Sequence, residues 1–203
     1  MRFLLSTNLS EIALTAATIG LAPGAPLGPE QLLWLNLITD VAPALALGLE
    51  RAEADVLREA PRDTQAPIFA CEEFGWIAAE GALIGASSLA AHLYGMARFA
   101  GPMGGGVGFL AIILAQLLQA WSNRSAGRTV FSSELPLNPQ IVLALGGLGA
   151  LQMLAALLPV SRRILGIGPL DVPTLGVVSV AAAAPFLITE SALKGAATLE
   201  SVT

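Results

Sequence analysis

The sequence predicts an all-α membrane protein, a polytopic bundle of about six transmembrane helices that forms one domain over residues 1–203. Only 12% of the residues are charged, about half of the roughly 25% that is typical of soluble domains. Hydrophobic residues make up 55% of the chain, and the mean hydropathy is +0.72. They fall into long runs, and about 20 apolar residues suffice for a helix to cross a hydrocarbon layer of about 30 Å.

Six segments have this character, and breaks separate them. The first, 3–20, ends at a stretch from Leu21 to Pro29 that contains three prolines, which disfavour a continuing helix. The second, 31–49, is followed by a charged stretch of mixed sign from Glu50 to Asp63. The remaining spans are predicted at 74–95, 104–121, 139–159 and 173–191. Asn8 and Glu11 interrupt the first segment, so it is interpreted as a membrane helix and not as a signal peptide.

The composition excludes several classes of protein and site. The formal net charge is −5 and there is no basic patch, so no nucleic-acid partner is expected. The single cysteine, Cys71, and the single histidine, His92, cannot form a disulfide or a Cys/His metal cluster within the chain. We expect Cys71 to be an inert loop residue and His92 to be a polar residue at the membrane interface.

Lysine and arginine indicate the orientation, because they favour the cytoplasmic side. If the chain starts inside, seven of them lie on the cytoplasmic side and three on the outer side. The inner set is Arg2, Arg51, Arg58, Arg62, Arg124, Arg128 and Lys194, and the outer set is Arg98, Arg162 and Arg163. We therefore expect a multi-pass protein of the cell membrane with both termini in the cytoplasm.

Polar residues within the first two segments are candidates for function, since an aspartate at a helix centre costs about 2.5–3.5 kcal/mol on insertion scales. Asn8 and Glu11 share one helix face, and so do Asn36, Thr39 and Asp40. All five offer oxygen atoms, which suit hard cations such as Ca²⁺, Mg²⁺ or Na⁺ and disfavour copper or zinc. The alternative is that they only form hydrogen bonds between helices.

Other residues extend this set. Pro43 has no N–H, so the carbonyl of Thr39 loses its helical partner and is available to a cation. Gln116 in the fourth segment either adds an oxygen or links helices. No role is predicted for Glu80, and Glu190 is expected at the interface, paired with Lys194.

Several stretches resemble type II P-type cation-transporting ATPases, a group that includes calcium, sodium/potassium and proton pumps. The stretch 31–50, with Asn36-Leu37-Ile38-Thr39-Asp40 at its centre, is similar to their sixth transmembrane helix. The stretch 5–12 resembles the end of the fifth helix, 115–125 the eighth helix and the loop after it, and 137–139 the start of the ninth. The resemblance covers the whole chain and implies helices five to ten of such a pump.

The resemblance implies a role for matched positions. Those that match cation ligands of calcium-type pumps are Asn8, Glu11, Asn36, Thr39 and Asp40, and Gln116 stands where animal calcium pumps of the endoplasmic reticulum carry glutamate. Calcium is the first candidate, while magnesium, manganese, sodium and protons stay open. The loop from Glu50 to Pro67 would face the cytoplasmic domains of the pump.

The family's phosphorylation motif, its nucleotide and actuator domains and its fourth helix are absent from this sequence. ATP and Mg²⁺ would therefore act only through an N-terminal part of the pump, and no catalytic or cofactor-binding residue is assigned here. Three hypotheses follow: a C-terminal fragment or split part of a cation pump, a non-catalytic remnant or accessory bundle, and a passive channel.

Overall fold

The computed structural model describes residues 1–21, 26–48, 69–99, 102–124 and 138–200. Within these ranges the regular structure is helical and contains no strand, which confirms the all-α fold. The elements are α1 (Arg2–Leu21), α2 (Pro29–Asn36), a π-helical segment (Leu37–Val41), α3 (Ala42–Gly48), α4 (Cys71–Arg98), α5 (Pro102–Ser122), α6 (Pro139–Leu157), α7 (Pro159–Ile164) and α8 (Val172–Glu200). Cys71 was expected in a loop, but it is the exposed first residue of α4.

Five spans in the described part are long and apolar enough to cross a membrane: Pro29–Gly48, Cys71–Arg98, Met103–Ser122, Pro139–Leu157 and Val172–Leu193. The first of these comprises α2, the π segment and α3. Helix α1 corresponds to the first predicted segment and has 20 residues, but it is not among these five spans. The prediction of a polytopic bundle of about six helices is confirmed.

Helix α5 is the centre of the bundle. Along the most apolar stretch of α5, 83% of the residues are buried inside the bundle, compared with 22% to 39% in the other four spans. It contacts α4, α8, α6 and α1, and Phe109, Ile112 and Ile113 are completely buried. The core therefore forms around α5, and the other spans expose apolar faces of the kind that lipid covers.

Helix α1 packs closely on α4 because glycines at two successive turns of α4 leave room for its backbone. A Cβ atom added at Gly81 would lie 2.9 Å from the carbonyl oxygen of Ser6, and one at Gly85 would lie 3.1 Å from the Cβ atom of Ala13. Small residues four apart allow this kind of approach between membrane helices. This contact fixes the position of α1 along the axis of the bundle.

An ion pair links the C-terminal end of α4 to the start of α8. Arg98 Nη2 lies 2.5 Å from Asp171 Oδ2, and Asp171 Oδ1 accepts a hydrogen bond from the backbone N–H of Thr174 at 3.1 Å, as a helix N-cap does. Interactions with the Thr174 side chain, with Arg98 and with the Thr174 N–H lower the pKa of Asp171 to about 2. Asp171 thus ties α8 to α4 while it is ionised.

Gly81→Ala should lower the melting temperature of the purified protein, because its methyl group meets the backbone of α1. Gly75→Ala is the matched control on the same helix, since a Cβ there has nothing within 4 Å and alanine favours a helix by about 0.5–1 kcal/mol over glycine. Thermal unfolding in detergent should show a loss for Gly81→Ala and no loss for Gly75→Ala. Equal shifts would contradict close packing at Gly81.

Asp171→Asn should destabilise the protein in a pH-dependent way. The lowered pKa means that the ionised group stabilises the fold above the ordinary carboxyl pKa of 3.8, and that this contribution is lost as the pH falls towards about 2. The melting temperatures of the wild type and the variant should differ at pH 7 and converge towards pH 2. A difference that does not change with pH would contradict this assignment.

Candidate cation site

The polar face of α1 meets α5 at Gln116. The amide nitrogen of this fully buried side chain lies 3.2 Å from the carbonyl oxygen of Thr7, 3.1 Å from Ser10 Oγ and 3.2 Å from Glu11 Oε1. The Glu11 side chain is only 8% exposed. The amide of Gln116 therefore holds a carboxylate inside the bundle and joins it to the backbone of α1.

The second carboxylate, Asp40, comes from the π segment. Thr7 Oγ1 donates a hydrogen bond to Asp40 Oδ1 at 3.5 Å, and the side chain of Asn8 also interacts with this carboxylate. Glu11 and Asp40 lie close enough for their charges to repel each other. The structure thus brings Glu11, Asp40 and Gln116 together around the polar face of α1.

Thr39 and the two asparagines take different positions. Thr39 is completely buried, and its hydroxyl donates to the carbonyl oxygen of Leu35 at 2.9 Å, which leaves the lone pairs of its oxygen available. Asn8 is exposed and donates to the carbonyl oxygen of Leu4 at 2.7 Å. The side chain of Asn36 is also exposed, and none of the hydrogen bonds among the described residues joins it to Glu11 or Asp40.

The π segment ends at Val41, two residues before Pro43, and Ala42 between them is its capping residue. Proline disturbs the regular helical hydrogen bonds at this point, and π-helical turns occur often at functional sites. The π segment contains Asp40 and also Thr39, whose carbonyl the sequence predicted to be freed by Pro43. The availability of the Thr39 carbonyl to a cation stays a prediction.

The donor set is one of oxygen atoms. Among the described residues no group of three or more His, Cys, Asp or Glu side chains could hold a metal ion, so any cation here would rely on two carboxylates and neutral oxygens. Gln116 Oε1 is buried, and among the described residues it has no hydrogen-bond partner. It is therefore an uncommitted acceptor beside Glu11. This chemistry suits a hard cation.

Two polar residues, His92 and Glu190, depart from their predicted positions, and a third, Glu80, takes a partner that was not predicted. Glu80, for which no role was predicted, is buried and pairs with Arg2 at 2.6 Å. His92 was expected at the interface, but it is completely buried against α5 beside Gly108. Glu190 was also expected at the interface; it is buried and accepts a hydrogen bond from Ser122, while the side chain of Lys194 lies outside the described residues.

The partners of these residues come from helices far away in sequence, 78 residues away for Glu80 and 68 for Glu190. Helical spacing within one segment gives no sign of such pairs. The loop from Glu50 to Pro67 and its predicted role lie outside the described residues.

The chain is similar to a known protein family. The model of the family described as "Cation transporting ATPase, C-terminus" matches residues 24–194. The chain belongs to this family. It is therefore an integral, multi-pass membrane domain of the cation-transporting ATPases, as the sequence resemblance implied.

Individual members of the cation-transporting ATPases are similar over much of the chain. A calcium-transporting ATPase of Bacillus subtilis is 36% identical over 135 residues, which are 65% of this chain and 15% of that protein. Calcium-transporting ATPase 1 of Lactococcus lactis is 33% identical over 165 residues, 81% of this chain and 19% of that protein. The chain thus spans less than one fifth of the length of these two relatives.

Gln116→Leu should lower the melting temperature, because it leaves the buried carboxylate of Glu11 without its amide donor. Loss of one partner of a buried charge commonly costs about 1–3 kcal/mol or more. Gln140→Leu is the control, since Gln140 is exposed near the start of α6. Thermal unfolding of both variants measures the difference. A Gln116→Leu variant as stable as Gln140→Leu would contradict the structural role of Gln116.

Proposed function

We propose that this chain is the membrane part of an ATP-driven calcium pump and that its helices hold the transported ion. Glu11 and Asp40 supply the negative charge. The neutral oxygens that complete the shell come from Asn8, Asn36, Thr39 and Gln116. The observation that carries the proposal is the placement of two carboxylates from consecutive spans around one polar face of α1.

Electrostatics support a divalent ion between these groups. Two like charges in a medium of low dielectric constant repel each other, and each is costly to remove from water. The described partners of Glu11 and Asp40 are neutral amide and hydroxyl groups. A divalent cation between them would balance both charges, which gives the cluster a reason to exist inside a membrane.

The exposure of several proposed ligands supports a further partner. Asp40 is half-buried, and Asn8 and Asn36 are exposed on the described surface. Calcium takes six to eight oxygen ligands, and the resemblance to P-type ATPases implies a fourth helix with a ligand motif outside this chain. An N-terminal part of the pump would cover this side and complete the shell.

Calcium is proposed as the ion because the relatives described above are calcium-transporting ATPases. ATP and Mg²⁺ would act through the phosphorylation, nucleotide and actuator domains of the N-terminal part. The loop from Glu50 to Pro67 would pass the strain of phosphorylation to the helices. We place the pump in the cell membrane with both ends of this chain in the cytoplasm.

Asp40→Asn in the intact pump should abolish calcium-stimulated ATPase activity, because it removes one of the two charges that bind the ion. Glu72→Gln is the control, since Glu72 is an exposed carboxylate at the start of α4. ATP hydrolysis over a calcium titration in native or reconstituted membranes measures the effect. Unchanged calcium-stimulated activity in Asp40→Asn would refute the role of Asp40.

The size of the native polypeptide distinguishes a pump from an accessory or remnant bundle. Since the relatives are more than five times longer than their matched segments, an antibody against residues 50–67 should detect a band several times larger than 20.8 kDa. The immunoblot is made on membranes of the source cells. A single band at 20.8 kDa would favour a split or accessory chain.

A further inference from the structure

A cavity of about 440 Å³ lies at one end of the bundle, between the start of α5 and the connection from α6 to α8. Arg162 and Arg163 of α7 line it, and the described residues of its lining include no acidic side chain. Its apolar walls come from Met103, Pro159, Ile167 and Pro169. The cavity thus combines two positive charges with an apolar surface, and it shares no residue with the proposed cation ligands.

The ends of three membrane spans place this cavity at the level of the lipid headgroups. One span begins at Met103, another ends at Leu157 and a third begins at Val172. The arginines and most of the other lining residues fall between the last two spans. Since the headgroup regions directly border the hydrocarbon layer, the molecules next to the cavity include phospholipids.

Helix α7 exposes apolar side chains together with charge. Val160 and Ile164 lie one turn apart and are 71% and 59% exposed. Arg163 is exposed as well, and its spacing from Val160 places it on the same face. Side chains of this kind suit the membrane interface, where apolar groups meet acyl chains and arginines reach the headgroups.

The loop after α7 holds the cavity in shape. Gly166 has a φ of 59°, and its carbonyl packs so closely on α5 that a Cβ atom added at Gly106 would collide with it. Arg162 Nη2 donates a hydrogen bond to the carbonyl oxygen of Gly168 at 2.7 Å, and the N–H of Ile167 donates to the carbonyl oxygen of Arg162 at 2.9 Å. These contacts fix Arg162 beside the cavity.

Both arginines keep donors for a ligand. A guanidinium has five N–H donors, and the bonds of Arg162 to the carbonyl oxygens of Ile167 and Gly168 use only some of them. Within the described residues Arg163 forms no hydrogen bond and no ion pair. The positive charge at the cavity is therefore not balanced by a carboxylate of its own lining.

We infer that this cavity binds the headgroup of an anionic phospholipid. The phosphate lies at Arg162 and Arg163, because the planar guanidinium matches phosphate oxygens with two parallel hydrogen bonds. The acyl chains follow the exposed apolar side chains of Leu157, Val160 and Ile164. Basic pockets between membrane helices recognise anionic headgroups in this way.

The lining distinguishes this lipid from two other phosphate compounds. A zwitterionic phospholipid adds a positive group of its own, which two arginines without a nearby carboxylate repel. Inorganic phosphate has no apolar part and gains nothing from the apolar walls or from the exposed face of α7. An anionic phospholipid satisfies both parts of the site.

Native mass spectrometry of the purified intact protein, titrated with phosphatidylglycerol or phosphatidylcholine, tests the inference. We expect the wild type to retain phosphatidylglycerol in preference to phosphatidylcholine. Arg163→Gln should weaken phosphatidylglycerol binding by about fivefold, which is the contribution of one arginine near an anionic membrane surface. A wild type without this preference would overturn the inference.

Arg124→Gln is the control, because it removes the same charge at the opposite end of α5, where the guanidinium lies over the Trp121 ring. It should leave the preference for phosphatidylglycerol unchanged. An equal loss in Arg124→Gln and Arg163→Gln would indicate diffuse attraction to anionic lipid and would overturn a site at α7. The melting temperature of Arg163→Gln without lipid should equal that of the wild type.

Photoreactive phosphatidylglycerol locates the bound lipid. We expect it to label residues 157–169, and we expect inorganic phosphate at the same concentration as the lipid not to reduce the labelling. Labelling confined to other parts of the protein, or its loss with inorganic phosphate, would overturn the inference. These experiments measure lipid binding and not ion transport, so their failure would leave the proposed cation site unaffected.

Discussion

A polar side chain on a helix in a membrane must find its partners within the bundle, because lipid offers none. Helix α1 is where this constraint acts most strongly: it carries Thr7, Ser10 and Glu11 on faces that turn inward. Two neighbouring helices satisfy this constraint. Helix α5 supplies Gln116, and α4 supplies glycine at Gly81 so that the backbones can approach. The positions of Asp40 and Gln116 relative to Glu11 depend on this placement of α1.

The same packing explains how two carboxylates come together without a fixed positive charge between them. On one side α1 is held by α4 and α5, and on the other it meets the π segment, where Thr7 contacts Asp40. A regular helix through residues 37–41 would present Asp40 differently, so the irregular winding next to Pro43 is part of the site. The Arg2–Glu80 pair holds the first turn of α1 against α4, as the contacts at the α4 glycines also do. Rigid packing on one side and an irregular segment on the other suit the proposed cation site, which would bind an ion and later release it.

The sequence predicted most of the fold because membrane spans are set by local properties, namely length and apolar composition. It also singled out Glu11 and Asp40 as candidate ligands, since a carboxylate within an apolar run stands out, and their role as ligands stays a prediction. It could not predict the burial of His92 or Glu190, because both lie near predicted helix ends and the depth of a residue there depends on neighbouring helices. Helical spacing could not predict the exposure of Asn36 either, because which side of α2 a neighbouring helix covers depends on the tertiary packing. Pairs such as Arg2 and Glu80 depend on which helices touch, and this information is not local.

The central claim is that Glu11 and Asp40 bind the transported ion together. The most direct measurement is the position of bound calcium in the intact pump, determined by anomalous scattering from crystals grown with the ion. The account predicts one calcium within about 2.3–2.6 Å of carboxylate oxygens from both residues, the usual calcium–oxygen distance. Calcium bound in the membrane region without contact to either carboxylate would contradict it.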